Sequence, residues 1–295
     1  MTHKNQKKVS YAVLVGPAVL IYAALIIFPI LACFLLSFTQ WTGFGIPEFV
    51  GLQNYLTMFK DSIFLHGLRN NFLVVLISIF GQIPIGFILA YILYREMVKG
   101  KAFFTAMIFF PITISEVVVA LLWQQVFSPS GLYIALMRVL KNDPRYVLRI
   151  FESKTYAIVP ILFVILWMYT GIYLIIFLAN LQKINPAIIE AAIIDGASEG
   201  QILLRVILPS MVNIVFTTII FAITGSLAGF SLIFAMTGGG PAHYTEVIAI
   251  YMYLNTFRYY KYGYGSSVSM VIVFLGVGLI SLLQIIFRKL EDKYE

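Results

Sequence analysis

The sequence predicts an all-α integral membrane protein with six transmembrane helices, and three observations carry that reading. Hydrophobic residues make up 61% of the 295 and charged residues 11%, against about 25% charged in an average soluble domain. Six apolar stretches, near 12–36, 71–94, 103–127, 156–181, 211–236 and 268–287, break the sequence into spans. Each is long enough for the ~20 residues that a helix needs to cross the hydrocarbon core. Between the fourth and fifth, residues 182–210 are too polar to cross. The whole of 1–295 reads as a single transmembrane domain.

The first stretch reads as a permanent span. Its apolar run exceeds the ~7–15 residues of a signal-peptide core, and no small-residue cleavage site follows it. Ile30-Leu31-Ala32-Cys33 has the outline of a lipoprotein cleavage site, but Phe34-Leu35-Leu36 carry the apolar run past it. Cys33 is the single cysteine, which excludes a disulfide framework. His3, His66 and His243 are scattered, so no metal cluster is expected.

Orientation follows from the cations. Lys4, Lys7 and Lys8 precede the first span; Arg95, Lys99 and Lys101 follow the second. Lys183 and Arg205 lie in the polar interruption, and Arg288, Lys289 and Lys293 follow the sixth span. The opposite segments carry nearly as many cations over a much longer chain, the dense exception being 128–155 with Arg138, Lys141, Arg145, Arg149 and Lys154. Cation density therefore places both termini in the cytoplasm. The net charge of +7 is then a matter of topology. No basic stretch is interleaved with stacking aromatics, so no nucleic-acid partner is expected.

The interruption at 182–210 predicts two short helices. Asn185 is a good N-cap and Pro186 suits the first helical position. That helix should run through Ile194 and stop at Gly196, where a left-handed residue costs little. Ser198 with Gln201 three residues on forms a capping box for a second helix, which Pro209 breaks. Ile189, Ala192 and Ile193 share one apolar stripe, and Ala191 and Ala192 keep the helix slim. Two readings stand at this point: a helix resting on lipid or on the chain's own spans, and a helix gripped by another protein.

Glu190-Ala191-Ala192, then Gly196, then Leu208-Pro209 resembles the EAA signature of importer-type ABC transporter permeases. The fuller Glu190-Ala-Ala-x-Ile-Asp195-Gly196-Ala197-Ser198 is similar to the carbohydrate branch of that family, the maltose and glycerol-phosphate type. Flanking elements fit as well: Leu178-Ala179-Asn180-Leu181-Gln182, Thr237-Gly238-Gly239-Gly240-Pro241 with Thr245, Phe257 and Gly263-Tyr264-Gly265-Ser266. Weaker similarity at Pro111, Trp123 and Gly131 extends forward. Leu203 stands where an aromatic is common, and Val206-Ile207 where Ile-Thr is common.

The resemblance implies that Glu190, Ala191, Ala192, Asp195, Gly196 and Ala197 form a cytoplasmic coupling helix seated in a cleft of an ATP-binding subunit. It implies two such subunits, which carry the ATP and Mg, and a solute-binding protein outside the membrane. The segment Gly239, Gly240 and Pro241 resembles the first of two different permease subunits, which implies a heterodimer in a bacterial or archaeal cytoplasmic membrane. The chain has no Gly-x-x-x-x-Gly-Lys-[Ser/Thr] loop of its own, so it is expected to be non-catalytic and to need no cofactor.

Substrate contacts are sought among polar and aromatic residues inside the spans. Glu116 is the most unusual, because a carboxylate at the bilayer centre costs at least ~2.5 kcal/mol on insertion scales and should face a cavity or the bundle. It either accepts hydrogen bonds from sugar hydroxyls or pairs with a neighbouring helix. The fourth span offers Trp167, Tyr169, Thr170 and Tyr173, and the fifth Thr224, Ser226 and Ser231. Rings beside hydroxyls suit sugars, which combine apolar C–H faces with hydroxyl groups. In maltose-type relatives, polar residues three apart in the fifth span touch the sugar. Those positions fall here on Ser226 and Gly229, and glycine has no side chain to donate. Gly225 and Gly229 also have the spacing of a close helix-packing motif. A rival reading is a secondary transporter using Glu116 as a proton site. A third reading, an intramembrane enzyme, would need a convergent catalytic constellation, and the spans hold no Ser/His, Cys/His or Asp pair.

Overall fold

The computed structural model describes the backbone of residues 3–294 and the side chains of 13–288. The side chains of Lys4, Lys7, Lys8, Lys289 and Lys293, used above for orientation, lie outside the described residues. Among the described residues, five helices are long and apolar enough to cross a membrane: Val13–Leu36, Ser62–Tyr94, Ile158–Leu181, Val212–Thr237 and Tyr262–Arg288. Helices suit these runs because all backbone groups bond within the segment, with none left to the lipid. The second and sixth start earlier than hydropathy suggests, where Arg69, Asn70 and Asn71, and then Gly263 to Ser267, dilute the apolar pattern.

The third span is not one helix, which corrects the continuous 103–127. Lys101–Thr113 and Glu116–Val126 meet at 95°. Ile114 (φ −87°, ψ 145°) and Ser115 (φ −55°, ψ 131°) leave the helical region between them. Pro111 cannot donate to the preceding turn, and Thr113 turns its hydroxyl to the carbonyl of Phe110 at 2.7 Å. The fifth span is also interrupted, at Gly229 (φ −59°, ψ 109°) and Phe230 (φ −129°, ψ −58°), before Ser231–Thr237 resumes. The resumed half packs against Glu116–Val126.

The chain forms two compact units. One comprises 1–61 with 252–274, the other 62–251 with 275–295. In the first, Thr39–Gln40 pairs antiparallel with Glu48–Phe49. The amide of Gly263 donates to the carbonyl of Trp41 at 3.3 Å.

In the second unit the fourth span is the hub. Ile83–Tyr94 packs along one side of it and Lys101–Thr113 along another. A Cβ at Gly86 would lie 2.7 Å from Cβ of Tyr173, and one at Gly171 would lie 2.5 Å from the carbonyl oxygen of Ile108. Glycine is what lets these helices approach. The apolar core they enclose includes Ala90, Leu174, Phe177, Leu181, Ile202 and Ile207.

Buried amides pin the first part of the second span to the fifth span and the segment after it. Asn70 donates to the carbonyls of Tyr244 (3.0 Å) and Glu246 (2.8 Å). Asn71 donates to the carbonyl of Ser226 (3.0 Å) and accepts from the amide of Ile248 (2.7 Å). Losing a partner for a buried backbone group costs about 1–3 kcal/mol. Asn71→Leu orphans two, so it is expected to lower the thermal unfolding midpoint of the purified protein clearly. An unchanged midpoint would show these bonds to be dispensable.

Candidate functional site

A cavity of about 350 Å³ lies among the second, third, fourth and fifth spans. Both helix interruptions border it: Glu116 is the first residue after one, and Gly229 and Phe230 form the other, with Ser231 the first residue after it. Glu116 Oε1 accepts a hydrogen bond from Tyr169 Oη at 2.7 Å. Its place at a helix N-terminus suits a negative group. Both sequence readings of Glu116 therefore have a structural counterpart, since it pairs with a neighbouring helix and lines the cavity.

The cavity collects Tyr169 and Tyr173, four residues apart on one helical face, with Ser226, Ser231 and Gly229. Three other candidates lie elsewhere. Trp167 is on a different face, 5.4 Å from the ring of Trp123, and Thr170 is turned onto its own helix, donating to Leu166 O at 2.5 Å. Thr224 likewise donates to Ile220 O. Gly225 has no atom within 4 Å of where a Cβ would stand, so within this chain it lines open space rather than packing a helix.

Ser78, Gln82, Phe221 and Phe230 also line the cavity and were not anticipated. Ser226 Oγ donates to Ser78 Oγ at 3.1 Å, and Gln82 Nε2 to Ile165 O at 2.7 Å. The helix from Ser78 to Gln82 is a π turn, a feature frequent at functional sites. A signal existed: Ser78 and Gln82 are polar residues four apart in an apolar run.

Residues 182–210 form the two helices that capping chemistry predicts. Asn185 Oδ1 accepts from the amide of Ala187 at 3.1 Å, Gly196 sits at φ +78°, and Ser198 and Gln201 complete the capping box. The single stripe of Ile189, Ala192 and Ile193 does not hold. Ile189 is buried in the core with Leu181 and Ile207, and Ala192 and Ala197 pack against the same cluster. The exposed apolar side chains are Ile188, Ile193 and Ile194, the last 85% exposed. Glu190, Ala191, Asp195 and Gly196 are exposed beside them.

Glu199 ties this loop to the end of the second span. It accepts from Arg95 Nη2 at 2.6 Å and Nε at 3.2 Å, and from Tyr91 Oη at 2.5 Å. Arg95, with Tyr91 second, holds the Glu199 carboxyl below the usual carboxylate range. Sequence reading missed this fork because its partners are far apart in the chain.

Gly239, Gly240 and Pro241 lie in a loop folded by two hydroxyls. Thr237 Oγ1 is 2.7 Å from Thr245 Oγ1, Thr245 Oγ1 donates to Gly240 O, and the amide of Gly239 donates to Thr237 Oγ1. Gly239 is buried and Pro241 exposed.

Residues 82–294 match the model of the family described as binding-protein-dependent transport system inner membrane component. The chain belongs to that family. It is 32% identical over 289 residues to a probable ABC transporter permease protein, YurN, of Bacillus subtilis, covering 97% of this chain and 98% of that one. It is 34% identical to the multiple sugar-binding transport system permease protein MsmF of Streptococcus mutans, covering 91% and 90%. The fold matches a chain in the crystal structure of a bacterial ABC transporter for import of the acidic polysaccharide alginate, with a TM-score of 0.83, 21% identity and coverage of 97% and 96%. The protein is thus a multi-pass ABC permease that works with a binding protein. That membership speaks against the proton-coupled reading of Glu116.

Proposed function

We propose that this permease is one of two different membrane subunits of a carbohydrate importer in a bacterial or archaeal cytoplasmic membrane. Both termini face the cytoplasm. A solute-binding protein delivers the sugar on the outer side, where the exposed Pro241 is offered, and two cytoplasmic subunits bind and hydrolyse ATP with Mg. The observation that carries the reading is the exposed helix Pro186–Ile194, which presents Ile188, Glu190, Ala191 and Ile194 while Ile189 anchors it to the core. An anchored helix with a free apolar face moves as a unit when that face is gripped. The sugar assignment draws support from the Streptococcus mutans relative, which is named for multiple-sugar transport, and from a cavity that sets aromatic rings beside hydroxyls.

Co-expression with candidate companion permease and ATPase subunits tests it, read out as binding-protein-stimulated ATP hydrolysis. Gly196→Trp forces a bulky residue into φ +78°, and Glu190→Lys reverses a charge on the exposed face. Each is expected to cut the stimulation at least about tenfold, the effect of losing ~1.4 kcal/mol at the contact. Full assembly and stimulation in both variants would remove this loop as the ATPase contact.

A further inference from the structure

The cavity has one carboxylate and no cationic side chain to balance it. Glu116 lines it, and among the described residues that line it there is no Lys, Arg or His. Of the neutral donors, Tyr169 Oη is on Glu116 itself, Gln82 Nε2 on Ile165 O, and Ser226 Oγ on Ser78, while the hydroxyls of Tyr173 and Ser231 also line the cavity and carry no charge. Glu116 Oε2 has no partner among the described residues, and it is half-buried at the cavity wall. It is free to accept from a hydroxyl or an ammonium group and repels another carboxylate. At about 350 Å³ the space is near the lower end of small-molecule sites, so any charged substituent of a bound sugar comes close to Glu116. Low-dielectric walls of Phe221, Ile165 and Leu232 screen little.

We propose that Glu116 sets the charge preference of this cavity, admitting neutral and amino sugars and excluding sugar acids. The proposal deepens the carbohydrate-importer reading and rests on it.

The charge can be read without knowing the sugar. In a Cys33→Ser background of the assembled transporter in nanodiscs, Ser231→Cys places one thiol on the cavity wall, and Ser130→Cys serves as an exposed reference outside it. Matched cationic and anionic methanethiosulfonates are the probes. The cationic-to-anionic rate ratio at Ser231→Cys is expected to exceed that at Ser130→Cys about tenfold, the scale of one poorly screened charge. It should collapse towards the reference in Glu116→Gln, which keeps the shape, and persist in Tyr169→Phe, which keeps the carboxylate. A ratio unmoved by Glu116→Gln overturns the proposal.

Sugar protection supplies the second reading. Cellobiose and the chitosan dimer are expected to slow labelling in both backgrounds, and a cellobiose-derived uronate only in Glu116→Gln. Equal protection by the uronate with Glu116 in place also overturns the proposal. If no disaccharide protects while the reagent ratio still responds to Glu116→Gln, the carbohydrate reading is what fails.

Discussion

Reversing the charge of Glu199 is expected to uncouple this permease from its ATPase. The carboxylate takes a two-pronged grip from Arg95 and a third bond from Tyr91, all at the end of the second span. It is also the first residue after the Ser198 cap, on the second helix of the loop. The first helix is held through Ile189 and Ala192, so the fork completes a rigid mount. An ordinary exposed ion pair contributes only about 0–1 kcal/mol, and Glu199 is half exposed while Arg95 is only 20% exposed. Glu199→Arg does more than delete the pair, because it sets two guanidinium groups against each other. Binding-protein-stimulated ATP hydrolysis should fall about tenfold, a loss of ~1.4 kcal/mol, with Tyr91→Phe losing less. The exchange Arg95→Glu with Glu199→Arg should restore much of the stimulation. Full activity in Glu199→Arg, or no rescue by the exchange, would reduce the fork to a surface contact.

The same fork has a defined pH response. Its carboxyl is depressed in the folded protein, so its contribution is complete above the ordinary carboxylate range and is lost as pH falls through the lowered value. Stability and coupling should therefore show no step from this pair between about pH 5 and 9, and an acid limb should begin only below ~4. Glu199→Gln should remove that limb. A step near neutrality that depends on Glu199 would contradict the assignment.

What the sequence disclosed was chemistry local in the chain. The Asn185 cap, the Gly196 turn and the Ser198–Gln201 box act within a few residues, and each is found where it was expected. Long apolar runs likewise mark spans whatever surrounds them. The break at Ile114–Ser115 was hidden because its residues are as apolar as their neighbours, and a membrane helix breaks only where other parts of the protein receive the freed backbone. Periodicity also puts Tyr169 and Tyr173 on one face without saying which face meets the cavity. For the same reason Trp167 was as good a candidate as Tyr173 until packing set it beside Trp123. Ile189 and Ile193 looked equivalent too. Only the core beneath the loop tells the anchor from the exposed side chain.

The second large effect is expected from filling the cavity at Gly225. Glycines in this bundle divide into two kinds by what a side chain would meet. At Gly171 a Cβ runs into the backbone of the third span at 2.5 Å, so Gly171→Leu should fail at folding or assembly. At Gly225 there is nothing within 4 Å, and the open space is the cavity. Leucine there also replaces a poor helix former inside a helix, which favours the helix by ~1 kcal/mol. Gly225→Leu is therefore expected to leave expression, assembly and the unfolding midpoint intact while cutting sugar uptake into proteoliposomes more than about tenfold, the equivalent of ~1.4 kcal/mol or more. ATP hydrolysis stimulated by the binding protein should survive, because the loop at 182–210 and its mount are untouched. Uptake that persists with a leucine in that space would mean that the substrate takes another route. Uptake lost together with assembly would mean that Gly225 packs against the companion subunit, as its spacing with Gly229 first suggested.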